Sequence, residues 1–259
     1  MYISVLAEFY KIRHAQIRWV TFIAFSLAPI MGGVFMLIMK DDSAFARAGV
    51  LSSKAQLMDF SADWNSFFNI LSQAMGVGGI LIFGFVASWL FGREYSDGTS
   101  KDLLSLPTSR TSILNAKFII YSIWCLLLAL FNLMLGLLIG FLVDIGNLEL
   151  ARLFNFLPSY GFTTVLSIIL GFPVALLALI GKGYLVPLGF VALTLVFAQI
   201  IAATGYGAYF PWSVPGLYSG AGGEYKEQLN ELSYGILFFT AFLGYLLTTF
   251  YWKYTDQIK

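Results

Sequence analysis

Few residues in this 259-residue chain could do chemistry: one histidine (His14) and one cysteine (Cys125), beside 15 Lys plus Arg and 14 Asp plus Glu. A protein-only metal centre needs several converging N, S or O ligands, and a lone Cys closes no internal disulfide. Nucleotide hydrolysis has no local signature either. The Gly181-Lys182 pair has Leu176 where a phosphate loop needs glycine and Gly183 where it needs Ser or Thr, and GxSxG is absent. His14 lies in a basic stretch, where contact with solvent or lipid headgroups is its expected role. The chemistry that remains is that of docking. Seven charged residues, Arg93, Glu94, Asp97, Lys101, Asp102, Arg110 and Lys117, fall within 25 positions around Leu103, Leu104 and Leu106. Gly98 reads as a left-handed helix stop, Thr99 with Asp102 as a capping-box start, Pro107 as a stop, and Ser109 as the cap of the next helix. The pattern predicts a short helix between two long ones, with leucines too few to bury one another. Exposed leucines on a fixed protrusion imply a partner surface; folding back onto a membrane interface is the competing reading.

The elements that carry this loop follow from composition. The chain is 59% hydrophobic and 11% charged, against about 25% charge in soluble domains, and its mean hydropathy is +0.80. A hydrocarbon core of about 30 Å requires about 20 helical residues without charge. The gaps between charges predict spans at about 19–39, 67–92, 118–142, 155–180, 184–204 and 233–252. Residues 1–18 read as an interfacial helix, with Ser4, Glu8, Lys11 and Arg18 on one face and Ile3, Leu6, Phe9, Tyr10 and Ile17 over much of the rest. Residues 205–223, rich in glycine and aromatics and broken by Pro211 and Pro215, read as a re-entrant or interfacial segment. The fold class expected is an all-α integral membrane protein in one domain, 1–259.

Basic residues fix the orientation. Ten lie on the side of the N-terminus, the 93–117 loop, Lys182 and the C-terminus, and five lie on the other, which predicts both termini in the cytoplasm. A net charge of +1 leaves no footprint for nucleic acid. Inside the spans the polar residues are neutral, among them Asn69, Gln73, Asn132, Ser167, Thr194 and Gln199. Hydrogen bonding between helices, worth about 0.6 kcal/mol each, is their ordinary role. Ion-driven transport places ionisable groups at depth, so energy is expected from another chain.

The run Glu94, Gly98-Thr99, Leu103-Leu104, Pro107, Ser109-Arg110 and Lys117 after the second of six spans resembles the signature of ABC-2-type permeases. The interfacial N-terminal helix and the Pro211–Pro215 break before the last span are similar to that family too. The resemblance implies that Glu94, Gly98, Thr99, Leu103, Leu104, Pro107 and Arg110 shape a cytoplasmic coupling helix that docks on a separate ABC ATPase. It implies two such ATPase chains, which bind ATP and Mg2+ while this chain holds no cofactor, and a second permease copy, with a homodimer favoured over a sister permease. Among short members the chain looks most like permeases that expel bacitracin, lantibiotics or phenol-soluble modulins. The expectation is therefore a non-enzymatic permease of the bacterial plasma membrane, among membrane lipids, exporting an amphipathic or hydrophobic cargo such as a toxic or antimicrobial peptide. Cargo contacts are expected at Asn69, Gln73, Gln199 and Thr204. A non-transporting regulatory subunit and a lipid-modifying membrane enzyme are the alternatives.

Overall fold

The computed structural model describes residues 2–40, 61–99 and 108–254, with the side chains of 224–226 set aside. The described residues are mostly helical, with no strand among them. In chain order they form α1 (Tyr2–Arg13), α2 (Ile17–Lys40), α3 (Trp64–Ser96), α4 (Arg110–Leu142), α5 (Leu150–Ile180), α6 (Leu185–Ala203), α7 (Val214–Tyr218) and α8 (Glu231–Tyr254). Six of these, all but α1 and α7, are long and apolar enough to cross a bilayer. In their most apolar stretches α3 and α5 are 61% buried, against 22% to 33% for α2, α4, α6 and α8. The bundle is thus built around α3 and α5, and the other four turn most of their surface outward, as lipid-facing helices do.

Helices α3 and α4 have 33 residues each, about 50 Å at 1.5 Å per residue, and so outrun a 30 Å hydrocarbon layer. Their surplus is at the ends joined by the 93–117 loop. The local signals there are as the sequence reads: Gly98 stops α3 at φ +70°, and the Ser109 hydroxyl oxygen accepts from the Ser112 N–H at 3.3 Å to cap α4. At the opposite end Asp63 caps α3, accepting from the Ser66 N–H at 2.8 Å.

Neither central helix is regular. Helix α3 opens into a π-helical turn at Ala74–Gly78. Helix α5 is interrupted at Leu170, three residues before Pro173, whose ring removes an N–H from the ladder. The Tyr121 hydroxyl of α4 donates to the Ile168 carbonyl at this break, at 2.8 Å. It reaches because Gly171 has no side chain; a Cβ there would run into the Tyr121 hydroxyl. Gly140 likewise makes room for the Trp64 ring. Deeper in the bundle, the Asn132 amide donates to the Phe25 carbonyl at 2.9 Å and accepts from the Tyr160 hydroxyl at 3.2 Å, joining α2, α4 and α5.

Between α6 and α8 the chain makes tight turns at Gly207–Tyr209 and Pro211–Ser213, then α7. These pack against α3, α5, α6 and α8. A Cβ at Gly76 would strike Ser219 and the Pro215 carbonyl, so this segment lies directly on the π-helical turn. Gly76 is 12 residues into α3, about 18 Å from its start, and the segment therefore dips well into the bundle.

Candidate functional site

Three helix ends meet where the 93–117 loop leaves and returns. Glu94 is in the last turn of α3, Lys117 two turns into α4, and Glu8 and Lys11 are one turn apart on α1. The Lys117 ammonium donates to both Glu94 carboxylate oxygens at 2.7 Å and to the Leu90 carbonyl at 2.9 Å. It also lies 3.5 Å from Glu8 Oε2. Lys11 donates to Glu8 Oε1 at 2.7 Å and to Glu94 Oε1 at 3.2 Å. Glu8, Glu94 and Lys117 are only 2%, 4% and 1% exposed, so this is a buried, charge-neutral cluster of two acids and two bases. Burial works against the Lys11 charge, but the carboxylates of Glu8 and Glu94 outweigh it and hold the ammonium above its ordinary range. A hydroxyl contact, Ser4 to Ser112 at 3.2 Å, extends the seam between α1 and α4, and Trp252 of α8 closes it by donating to the Arg110 carbonyl at 2.9 Å.

Two placements go beyond the sequence reading. The polar stripe of the N-terminal helix does not face water: Ser4 and Glu8 are buried against the bundle, and Ile3, Phe9 and Tyr10 are exposed. Nor do all the loop charges hang in solvent. Glu94 and Lys117 are spent within the chain, because each is the nearest charge available to neutralise the other once α3 and α4 pack. Of the remaining coupling residues, Gly98 and Thr99 are exposed, Arg110 is half-buried, and Leu103, Leu104 and Pro107 lie outside the described residues.

The four expected cargo contacts are not gathered into one site. Gln73 lines a recess of about 420 Å³ between α2 and α3, with Ala28, Met31, Gly32 and Ile70. Gln199 lines a different pocket, beneath the Pro211–Ser213 turn. Asn69 is exposed on α3, and Thr204 is exposed at the end of α6, its hydroxyl donating to the Ile201 carbonyl at 2.8 Å.

Residues 4–199 match a family described as ABC-2 family transporter protein. The chain belongs to the ABC-2 transporter family. It is also 30% identical over 178 residues to a bacitracin transport permease protein of Bacillus licheniformis, an alignment covering 69% of this chain and 85% of that protein. Membership makes this a multi-pass membrane permease and implies association with an ABC ATPase.

In this ABC-2 permease the matched stretch contains the whole charge cluster and both ends of the loop. Sequence reading found Glu94 and missed its partners. The available signal was the spacing of Ser4, Glu8 and Lys11 on one face of α1, which fits a helix facing a buried opposite charge as well as one facing water. For Asn132 and Ser167 the ordinary role holds: Ser167 donates to the Thr163 carbonyl at 2.9 Å and approaches the Met75 carbonyl in the π-helical turn at 3.4 Å.

Proposed function

We propose that this chain is the permease subunit of an ATP-driven exporter that moves an amphipathic or hydrophobic peptide out of the bacterial cell, powered by a separate ATPase chain. The observation that carries the reading is the neutral cluster of Glu8, Lys11, Glu94 and Lys117. It clamps both roots of the 93–117 loop, and α1 with them, into one body. A loop rooted in this way transmits displacement as a lever does: a push on its tip moves α1, α3 and α4 together. Gly98, Thr99 and Arg110, with Leu103, Leu104 and Pro107, are proposed to shape the surface that meets the ATPase. Glu94 acts on coupling through the position of the loop's root.

The working unit is proposed to be two permeases, favoured as a homodimer, with two ATPases that bind ATP and Mg2+. Both termini and the loop face the cytoplasm of a bacterial plasma membrane. A peptide cargo is supported by the likeness to a bacitracin transport permease and by the neutral amide and hydroxyl groups at depth, which suit an uncharged polar backbone. The test is ATP-dependent uptake of bacitracin into inverted vesicles carrying this chain and a candidate partner ATPase. Uptake should require both chains. Failure of the two to co-purify when expressed together would sink the reading.

A further inference from the structure

One face of α3 carries polar groups that its own chain leaves unused. Asn65, Asn69 and Gln73 recur at every fourth position within the regular stretch Trp64–Gln73, so their carboxamides follow one another along one side of the helix. Asn65 and Asn69 are exposed and Gln73 is half-buried. Gln73 is the one polar side chain lining the recess beside α2, whose walls include Met31 and Gly32. None of the three amides has a hydrogen-bond partner among the described residues. Amides elsewhere do: Asn132 donates to the Phe25 carbonyl at 2.9 Å, and Asn115 accepts from the Tyr245 hydroxyl at 3.0 Å. By helix rise Asn69 lies about 8 Å and Gln73 about 14 Å beyond Trp64, so the stripe runs from the edge of a hydrocarbon layer of about 30 Å nearly to its middle. A carboxamide turned to hydrocarbon without a partner is costly, and Asn and Gln within spans ordinarily bond to another helix.

The face continues through the π-helical turn as Val77 and Gly78 and beyond it as Leu81, which is 45% exposed. It is apolar there, which suits the approach of another helix better than a wet path across the bilayer. Gly78 agrees with such an approach. A Cβ at Gly78 would meet nothing within 4 Å, whereas at Gly76, Gly84 and Gly92 of the same helix it would run into Ser219, Val191 and Gly183. A second copy of this chain is the occupant whose chemistry fits. Two copies inserted in one orientation are related by a twofold axis along the membrane normal, so residues near the axis meet their own counterparts at equal depth. A charged group would meet its like there. A carboxamide has both an N–H donor and a carbonyl acceptor, and so bonds to its own kind.

We infer that the Asn65, Asn69 and Gln73 face of α3, with Gly78 beyond it, is where two copies of this permease meet. The inference rests on the two-permease unit proposed above and names its contact face. The test uses the full chain, expressed with a candidate partner ATPase in cell membranes. The lone cysteine, Cys125, is buried, so a cysteine introduced on the surface is the one that reacts. Mild oxidation should link Asn69→Cys into a disulfide dimer and leave Phe242→Cys, at a position 59% exposed on α8, as monomer. Gln73→Leu should raise the dissociation constant of the dimer in lipid on the order of fivefold, for two symmetry-related hydrogen bonds of the strength usual in bilayers. Gly78→Leu, whose side chain starts in open space within its own chain, should weaken the dimer as well and serves if Gln73→Leu does not fold. Native mass spectrometry of the unsubstituted complex counts the permeases independently. Two copies with no disulfide at Asn69→Cys, or with one at Phe242→Cys alone, would overturn the contact face and leave the two-permease unit standing. A single copy would remove both. Gln73→Leu that leaves the dimer unchanged but raises the bacitracin concentration that half-stimulates ATP hydrolysis would assign the amides to cargo and overturn the inference.

Discussion

At the loop end of the bundle, α1, α3 and α4 are joined by four charges within 2.7 to 3.5 Å of their partners. At the other end, the 207–219 segment is held by aromatic edges, glycine contacts and a serine hydroxyl on the Ala198 carbonyl. Ion pairs shielded from water are strong and directional, and separating them exposes a bare buried charge. Neutral hydrogen bonds within a bilayer average about 0.6 kcal/mol and exchange readily. One end is built to keep its shape under load. The other is held by contacts cheap enough to be traded for those of a ligand.

Substitutions can break this contrast, beginning where the effect is largest. Lys117→Met should leave the two buried carboxylates of Glu8 and Glu94 with Lys11 alone between them and cost about 3 to 5 kcal/mol, read as a fall in the melting temperature of purified protein. Combining it with Glu94→Leu should recover most of the loss, because an apolar pair of similar volume is often neutral or better. If the double variant is no more stable than the single, the cluster is not the fastening described here. Gly171→Ala pushes a methyl group into the Tyr121 hydroxyl and should cost about 1 to 3 kcal/mol by overpacking. Adding Tyr121→Phe should relieve part of that clash, although the Ile168 carbonyl then loses its donor.

Smaller effects sharpen the neutral side of the comparison. Tyr160→Phe removes the hydroxyl that bridges Asn132 and the Ala129 carbonyl and should cost about 1 kcal/mol, a few degrees in melting temperature for a chain of this size. Asp63→Ala deletes the α3 cap and should cost about the same, with a pH signature. Burial alone would raise the Asp63 carboxyl, but the bonds from Ser66 outweigh it and hold the group below its ordinary value of 3.8. A carboxyl depressed by folding adds stability above its unfolded pKa and loses it as the pH falls through the folded one. The gap between unsubstituted protein and Asp63→Ala should therefore be full at neutral pH and close below about pH 4.

The six spans were readable because hydrocarbon excludes charge, so intervals such as Trp19–Met39 and Leu232–Trp252 mark themselves. Gly98 and Ser109 were readable because a left-handed stop and a hydroxyl cap are local events. The charge cluster was not, because the pairing of Glu94 with Lys117 depends on which helix ends meet, a tertiary fact that charge counting along the chain does not contain. The same limit scattered the expected cargo residues: Gln73 and Gln199 are both amides at depth, but one lies in a recess beside α2 and the other beside the Pro211–Ser213 turn. The π-helical turn at Ala74–Gly78 left no trace in residue type, since Ala, Met, Gly and Val suit an ordinary helix.

That turn gives α3 one residue of slack between its two halves. Deleting a single residue within Ala74–Gly78 would convert it to ordinary helical winding and leave the two halves near their present phase, whereas a deletion in the regular winding on either side rotates everything downstream by about 100° relative to the half that begins at Trp64. A deletion outside the turn would carry Glu94 round the helix axis, away from Lys117. The half of α3 that begins at Trp64 and the root of the loop are therefore phased to one another by a count of residues that only this turn can absorb, and an error of one elsewhere in α3 would disengage the lever without changing a single side chain of the charge cluster.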